Sequence, residues 1–192
     1  MYDAGMLGDL IQKIEQNAFT DGLCDCFNRS CFELRKKTIV QHAAKPCLLL
    51  VADNLKKVND TIGHKAGDDY IQTSVTILKK AIKTSNMLFR IGGDEFVAFI
   101  PQCTAFDAAT IVRKIEKLCA KQTKPWPVSV SVGFSMITRN DTDFAHHFTQ
   151  ADNAMYAQKQ QHKRLACIQA PGETGAPTAP HDSTPSDGGE NP

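Results

Sequence analysis

Two glycines followed by two acids interrupt an apolar segment near the middle of the chain. Residues 90–96 read RIGGDEF and lie within a mostly apolar run over 87–100. Glycine accepts the positive φ angles of tight turns and lets phosphate groups approach the backbone, so the run predicts a β-hairpin with a charged tip. The adjacent carboxylates of Asp94 and Glu95 suit a hard divalent cation. The alternative is an ordinary surface turn.

Three further segments of the sequence form one ordered pattern together with this hairpin. Residues 51–68 read VADNLKKVNDTIGHKAGD and begin within a predicted buried strand, residues 151–159 read ADNAMYAQK, and residues 21–29 read DGLCDCFNR. Together they resemble the GGDEF domain of diguanylate cyclases. That family runs from D-x-L-T-G-L-x-N-R, through D-x-D-x-F-K-x-x-N-D and G-H-x-x-G-D, to the Gly-Gly-acid-acid-Phe hairpin and the A-D-x-A-L-Y-x-A-K helix. The resemblance covers about residues 20–168.

The periodicity of apolar residues predicts alternating helices and strands. Predicted helices cover residues 6–19, 28–44, 66–83, 105–120 and 149–161, and predicted strands cover 47–53, a hairpin over 87–100, 128–136 and 165–169. This order is typical of an α/β (α+β) sandwich. The resemblance implies a mostly antiparallel five-stranded sheet flanked by helices, similar to the palm of nucleotidyl cyclases and polymerases.

The length of 192 residues and 42% hydrophobic content predict one domain. We expect a linker helix over residues 1–20, a GGDEF domain over 21–169 and a disordered tail over 170–192. The tail is rich in Pro, Gly, Ser and Thr and lacks large apolar residues. In the family such an N-terminal helix joins an upstream sensor domain, so a sensor or a regulatory protein is a candidate partner.

The charge and hydropathy of the sequence limit which classes of binding partner the chain can have. Outside the acidic tail the chain carries 22 basic and 17 acidic side chains, an excess that suits an anionic nucleotide but is too small and dispersed for a nucleic-acid groove. No segment is long and apolar enough to cross a bilayer, and the N-terminus lacks a signal pattern. We expect a cytoplasmic location with no membrane segment and no nucleic-acid partner.

Seven cysteines, an odd number, favour reduced thiols over a disulfide framework. Cys24, Cys26 and Cys31 form a C-x-C-x4-C cluster that could hold a soft metal or sense oxidants. The nearest candidate for a fourth metal ligand is His42. The sequence leaves the role of this cluster open.

The resemblance implies a specific reaction. Diguanylate cyclases condense two GTP molecules into cyclic di-GMP, with one GTP held by each domain. Two copies must therefore meet, and a homodimer is needed for catalysis. A divalent cation, Mg²⁺ or Mn²⁺, is implied as the cofactor.

The resemblance also implies roles for individual positions. Asn59 and Asp68 fall where the family reads guanine, and an amide with a carboxylate can satisfy the hydrogen-bonding edge of that base. Asp94 and Glu95 fall on the catalytic acids, Asp94 as a metal ligand and Glu95 as a proton acceptor or metal-linked group. The other nucleotide-binding positions are Lys56, His64, Gly92, Gly93, Lys159 and Lys163, and the other metal positions are Ala52 and Asp53.

One position departs from the family in a way that bears on catalysis. The family's first strand-end aspartate, a magnesium ligand, falls on Val51, whose side chain has no oxygen. Asp53 lies two residues farther along the strand, about 7 Å away, so it could substitute only with a rearranged backbone. We therefore expect low or conditional cyclase activity. The alternatives are an inactive module that binds GTP and regulates a partner, and a scaffold that binds no nucleotide.

Overall fold

The structure is a computed structural model that describes the chain in seven parts. The described residues are 9, 13–14, 17–42, 47–52, 62–82, 87–138 and 143–169, with side chains described for all of these except 42, 47–52 and 165–169. The elements in chain order are α1 (Arg29–His42), β1 (Cys47–Ala52), α2 (His64–Ile82), β2 (Leu88–Arg90), β3 (Phe96–Ile100), α3 (Ala105–Ala120), β4 (Ser131–Met136) and α4 (Phe144–Gln169).

The four strands of the described chain form one sheet in the order β2-β3-β1-β4. Every neighbouring pair is antiparallel, and β1 lies in the centre between β3 and β4. At its C-terminal end, Val51 pairs with Phe96 of β3 on one side and with Val132 of β4 on the other. The end of β1 therefore lies between the hairpin and the first residues of β4.

Both faces of the sheet are covered by helices. Side chains on successive residues of a strand point to opposite faces. In β3, Phe96 and Ala98 accordingly join the core cluster that contains residues of α2 and α3, whereas Val97 and Phe99 join a second cluster with residues of α1 and α4. This double burial explains why β3 is apolar at all five positions rather than alternating.

Most predicted elements are confirmed with small shifts at their ends. The predicted helix 105–120 matches α3 at both ends. Its start is fixed by Thr104 and Asp107, which form a reciprocal capping box. The predicted helix 28–44 corresponds to α1, 66–83 to α2, and the strand 128–136 to the shorter β4. Within the predicted helix 6–19, the described residues 9, 13–14 and 17–19 are helical.

The predicted last strand over 165–169 is wrong, because α4 continues to Gln169. The family's glycine after the lysine helix is replaced by His162, and no glycine or proline follows until Pro171. Without a residue that ends a helix, the helix-favouring side chains that follow His162 prolong α4. The sheet of the described chain therefore has four strands rather than five.

Candidate functional site

The turn between β2 and β3 carries the four residues from Gly92 to Glu95. The amide of Ile91 donates to the Glu95 carbonyl over 2.9 Å, which closes the turn. A Cβ added to Gly92 would lie 2.5 Å from Glu95 Oε2 and 3.3 Å from Glu95 Cβ, so the Glu95 side chain folds back over Gly92. Nothing in the described chain lies within 4 Å of the corresponding position on Gly93, which leaves that glycine open to a ligand.

The expectation of positive φ at these glycines is wrong. Neither Gly92 nor Gly93 has φ in the left-handed region, which in the described chain is occupied by Gly63 at 101° and Gln102 at 56°. The turn has a wide five-residue form that ordinary φ values can close. At Gly92 a Cβ would meet the end of the exposed Glu95 side chain, which can rotate away.

Arg90 binds the backbone of the hairpin turn and connects it to Asp21. Its Nε and one terminal nitrogen donate to the Gly93 carbonyl over 3.1 and 2.7 Å, and its other terminal nitrogen donates to both carboxylate oxygens of Asp21 over 3.0 and 3.2 Å. Both side chains are largely buried, at 15% and 17% exposure. Neither residue was assigned a role from the sequence. The one signal was the position of Arg90, two residues before the first glycine.

The end of β1 is flanked by the hairpin and by α4. Val51 pairs with Phe96, the residue after Glu95, while Ala52 pairs with Ser131 on the other side. The amide of Val132 donates to the side-chain oxygen of Gln158 on α4. The α4 turn that carries the predicted phosphate ligand therefore packs against the end of β1.

Both predicted lysines of α4 lie in this part of the helix. Lys159 follows Gln158 directly and is half-buried, and Lys163 lies one turn farther on and is exposed. His162 contacts Ser131 Oγ through Nδ1 at 3.3 Å, which fixes the same turn against the residue opposite Ala52. Residues four apart share a helix face, so Lys159 and Lys163 form one basic edge.

The start of α2 reaches the same end of the sheet from the other face. The Tyr70 hydroxyl donates to the Ser129 carbonyl over 2.5 Å, and Ser129 lies two residues before β4. The predicted nucleotide-binding residue His64 and the predicted guanine-binding residue Asp68 precede Tyr70, are both exposed, and share one face of the helix. The structure thus anchors this part of α2 near the end of β1.

These contacts bring most of the predicted site residues toward one end of the sheet. The hairpin residues, the two lysines of α4 and the start of α2 surround the C-terminal end of β1. Three predicted site residues, Asp53, Lys56 and Asn59, lie outside the described residues.

The described oxygen donors at this end fit a hard divalent cation. They comprise the carboxylates of Asp94 and Glu95 and the backbone carbonyl at Ala52, which are ligand types that Mg²⁺ and Mn²⁺ accept. No group of three or more His, Cys, Asp or Glu side chains within the described part of the chain could hold a metal ion. Among the described residues, this end of the sheet thus offers two carboxylates and one backbone carbonyl.

The three-cysteine cluster does not form a common site in the described chain. Cys24 and Cys26 lie together with their sulfurs 3.2 Å apart, in the core cluster with α2 residues. Cys31 is fully buried in the other cluster, on the opposite face of the sheet. The soft-metal interpretation is therefore not supported by the described residues; the side chain of His42, its nearest fourth ligand, lies outside them.

The carboxylate of Asp21 is expected to contribute to the stability of the fold in a way that depends on pH. Burial raises its pKa, but hydrogen bonds from the Cys24 thiol and from the Leu23 and Cys24 amides, together with the charge of Arg90, lower it below the ordinary 3.8. A folded-state pKa below the unfolded one contributes stability that is complete above the unfolded pKa and is lost as pH falls through the folded pKa. We expect Asp21→Asn to destabilise the chain at pH 7 and to lose that deficit only as pH falls below 3.8 and through the lower folded-state pKa.

Urea unfolding of the wild type and Asp21→Asn at pH 7 and at about pH 2 would measure this convergence. The matched control is Asp69→Asn, because Asp69 forms an exposed ion pair with Lys124 over 2.8 Å. Exposed pairs contribute little, so this control should stay near the wild type at both pH values. A deficit of Asp21→Asn that is equally large at both pH values would contradict the assignment.

Comparison with known proteins identifies the family. The family model described as diguanylate cyclase, GGDEF domain, matches residues 18–164. The chain belongs to the GGDEF domain family. No helix in the described part of the chain has the length and apolar character needed to cross a membrane.

Relatives and solved structures agree with this assignment. The chain is 31% identical over 153 residues to the probable diguanylate cyclase DgcT of Escherichia coli K12, covering 74% of this chain and 34% of DgcT. It is 27% identical over 177 residues to the probable diguanylate cyclase DgcE of the same organism, covering 87% of this chain and 16% of DgcE. The chain thus spans about a third or less of these relatives.

The fold is also found in a solved structure. The coiled coil and GGDEF domain of DgcB from Caulobacter crescentus, in complex with c-di-GMP, superimposes with a TM-score of 0.72 at 25% identity. The match covers 81% of this chain and 87% of that chain. The predicted α+β fold of the cyclase palm class is confirmed.

Proposed function

We propose that the chain binds GTP at the C-terminal end of β1 and condenses two GTP molecules into cyclic di-GMP at a low or conditional rate. The observation that carries this proposal is the convergence of the hairpin acids and the basic edge of α4 on the two sides of β1. An acidic, cation-binding turn opposite two lysines suits a nucleoside triphosphate. Its negatively charged phosphates can bind both the cation at the turn and the two ammonium groups. DgcB, a structural neighbour, holds c-di-GMP in its solved complex.

The residues divide the work of binding. Lys159 and Lys163 bind the phosphates from α4, and the open backbone at Gly93 leaves room for them at the hairpin. Asp68 of α2 binds the guanine edge together with Asn59, while His64 stays near the base. Lys56 adds a phosphate contact from the segment that follows β1. These roles place the triphosphate across the end of β1, with the base toward α2.

The acids of the hairpin perform the proton and cation chemistry. Asp94 and Glu95, with the Ala52 carbonyl and Asp53, would hold Mg²⁺ or Mn²⁺, and the cation neutralises phosphate charge when bound. Glu95 accepts the proton of the attacking 3′ hydroxyl, because a carboxylate held over Gly92 is ordered for that task. Arg90 positions the turn by fixing the Gly93 carbonyl.

Catalysis needs two copies of the chain. Each copy supplies one GTP, and each 3′ hydroxyl attacks the α-phosphate of the other nucleotide, with pyrophosphate as the leaving group. A two-fold homodimer brings identical sites face to face. An upstream sensor or a regulatory protein would set how often the two sites meet, so the rate of the reaction depends on that partner. The location that we propose is the cytoplasm, where GTP is available.

A second function is favoured by Val51. With one carboxylate fewer at the cation site, the chain can bind GTP through guanine and phosphate contacts and yet form little product. The chain would then act as a GTP-dependent regulator of a partner.

Incubation of the purified chain with GTP and Mg²⁺ or Mn²⁺, followed by chromatography of the nucleotides, separates the two functions. We expect slow formation of cyclic di-GMP that rises with protein concentration, because the reaction requires two copies. Measurable GTP binding without product would leave the regulatory module. Flat calorimetric titrations with both GTP and GDP would overturn both.

A further inference from the structure

We propose that Cys24 and Cys26 form a hydroperoxide-reactive dithiol that controls the hairpin turn through Asp21 and Arg90. The two sulfurs lie 3.2 Å apart. The amide of Cys26 donates to the carbonyl of Cys24 over 2.8 Å, which makes residues 24–26 a three-residue turn. This turn brings the two side chains together without any long-range rearrangement.

The environment of Cys26 favours its thiolate. The hydrogen bond donated by the Cys24 thiol lowers the pKa of Cys26, and the positive charges of Arg90 and Lys79 lower it further, against the opposing effects of burial and of Asp21. The same hydrogen bond, with burial and Asp21, raises the pKa of Cys24. The thiolate is the nucleophilic form of cysteine, so Cys26 is the attacking residue and Cys24 the resolving one.

The Cys24 proton has two candidate acceptors. Cys24 Sγ lies 3.1 Å from Asp21 Oδ1 as well as 3.2 Å from the Cys26 sulfur. Asp21 Oδ1 already accepts from the amides of Leu23 and Cys24 and from Arg90. The thiol proton of Cys24 is therefore shared between Asp21 Oδ1 and the Cys26 sulfur.

The dithiol lies just below the surface. Cys24 and Cys26 are 7% and 5% exposed, but the side chain of the intervening Asp25 is 99% exposed and forms an ion pair with Lys79. A reagent as small as hydrogen peroxide needs only a small opening of this surface turn. Larger alkylating reagents need a larger opening, which makes the site selective for small oxidants.

The reaction balances with one hydroperoxide. The Cys26 thiolate attacks the distal oxygen, the O–O bond breaks, and Cys26 becomes a sulfenic acid while the leaving hydroxide takes up a proton as water. The Cys24 sulfur then attacks the Cys26 sulfur, the S–S bond forms, and the S–O bond breaks. The departing hydroxide takes the Cys24 proton as a second water. Two electrons pass from the two sulfurs to the peroxide.

Three contacts couple this pair to the hairpin. Asp21 binds the turn that contains Cys24 through the amides of Leu23 and Cys24, and its own amide donates to the Cys26 carbonyl over 2.9 Å. Its carboxylate binds Arg90, which binds the Gly93 carbonyl. A disulfide requires the sulfurs to approach to about 2.05 Å, so Cys24 loses its thiol proton and with it the hydrogen bond to Asp21 Oδ1, and Asp21 shifts. The Gly93 carbonyl then loses its fixed donor.

Peroxide oxidation with mass spectrometry tests the dithiol directly. The folded chain is treated with one equivalent of hydrogen peroxide, its free thiols are alkylated after unfolding, and it is cut with trypsin. Cleavage after Lys13 and Arg29 gives one peptide that holds Cys24 and Cys26 and no other cysteine. We expect this peptide to appear unalkylated and two hydrogens lighter before Cys119, which is more exposed, is oxidised. Earlier oxidation of Cys119, or full alkylation of both residues, would overturn the proposal.

Hydrogen exchange tests the coupling. Oxidation should speed exchange of the backbone amides over 87–96 about tenfold in the wild type and leave it unchanged in Cys24→Ser, where no disulfide can form. Arg90→Lys, which keeps the charge but loses the fork, should show the faster exchange already when reduced. Unchanged hairpin exchange in the oxidised wild type would remove the coupling.

The consequence for nucleotide binding rests on the proposed function. Oxidation should weaken GTP binding severalfold in the wild type, and addition of a dithiol reductant should restore it. Neither the peptide mass nor hydrogen exchange requires nucleotide, so absence of GTP binding in both redox states would count against the proposed function alone. Equal GTP affinity of the reduced and oxidised forms would show that the switch does not reach the site.

Discussion

Gly133→Ala is expected to lower the free energy of unfolding by about 3 kcal/mol or more. A Cβ on Gly133 would lie 2.0 Å from the Ala151 carbonyl oxygen and 2.2 Å from the Met155 amide nitrogen. Both atoms belong to the backbone of α4, so no side-chain rotation can relieve the clash. The helix must move away from β4 as a body, and the packing on both sides of the contact is lost.

Urea unfolding followed by circular dichroism would measure this loss. The matched control is Gly22→Ala, because nothing in the described chain lies within 4 Å of a Cβ at that exposed glycine. We expect the control to remain within about 0.5 kcal/mol of the wild type. Replacing glycine by alanine usually stabilises a chain by restricting its unfolded state, so a wild-type value for Gly133→Ala would mean that α4 does not touch β4 there.

The face of β4 that meets α4 shows why this contact is so close. Ser131, Gly133 and Ser135 alternate along the strand, and all three are small. Ser135 contacts His147 Nδ1 at 2.7 Å, and Ser131 contacts His162 Nδ1 at 3.3 Å. The helix is therefore fixed at three points along β4. This fixation sets where Lys159 lies relative to the end of β1.

Local features of the sequence predicted the elements well. The start of α3 follows from residues 104 and 107, which lie within one turn of each other. The hairpin acids Asp94 and Glu95 were predicted from their immediate neighbours, and the structure places them in a turn between β2 and β3. The end of α4 was predicted wrongly because the apolar residues of 165–169 were interpreted as a strand, whereas the helix continues to Gln169.

Contacts between distant segments were not predictable from the sequence. Arg90 and Asp21 are 69 residues apart, and nothing in their spacing shows that they form an ion pair. The role of Gly92 was misassigned for the same reason. A turn glycine suggests positive φ, whereas Gly92 does not have it and lies instead beneath the Glu95 side chain. Periodicity and propensity describe the backbone, but they do not describe how side chains fold over it.

Val51→Asp is expected to raise the rate of cyclic di-GMP formation by about tenfold or more, equivalent to about 1.4 kcal/mol of transition-state stabilisation. The backbone at position 51 pairs with Phe96, next to the hairpin acids, so a carboxylate there would add the missing anionic oxygen ligand at the end of β1. The Mg²⁺ concentration for half-maximal rate should fall together with the rise in rate. Nucleotide chromatography over a Mg²⁺ series would measure both.

Two further variants show whether the effect of Val51→Asp comes from the negative charge at position 51 and whether it depends on Asp94. Val51→Asn supplies a neutral oxygen in nearly the same shape, so it should raise the rate less than the aspartate does. Asp94→Ala in the Val51→Asp background should return the rate to background, because it removes a cation ligand of the hairpin. If Val51→Asp leaves both metal affinity and rate unchanged, the valine is not the cause of weak catalysis.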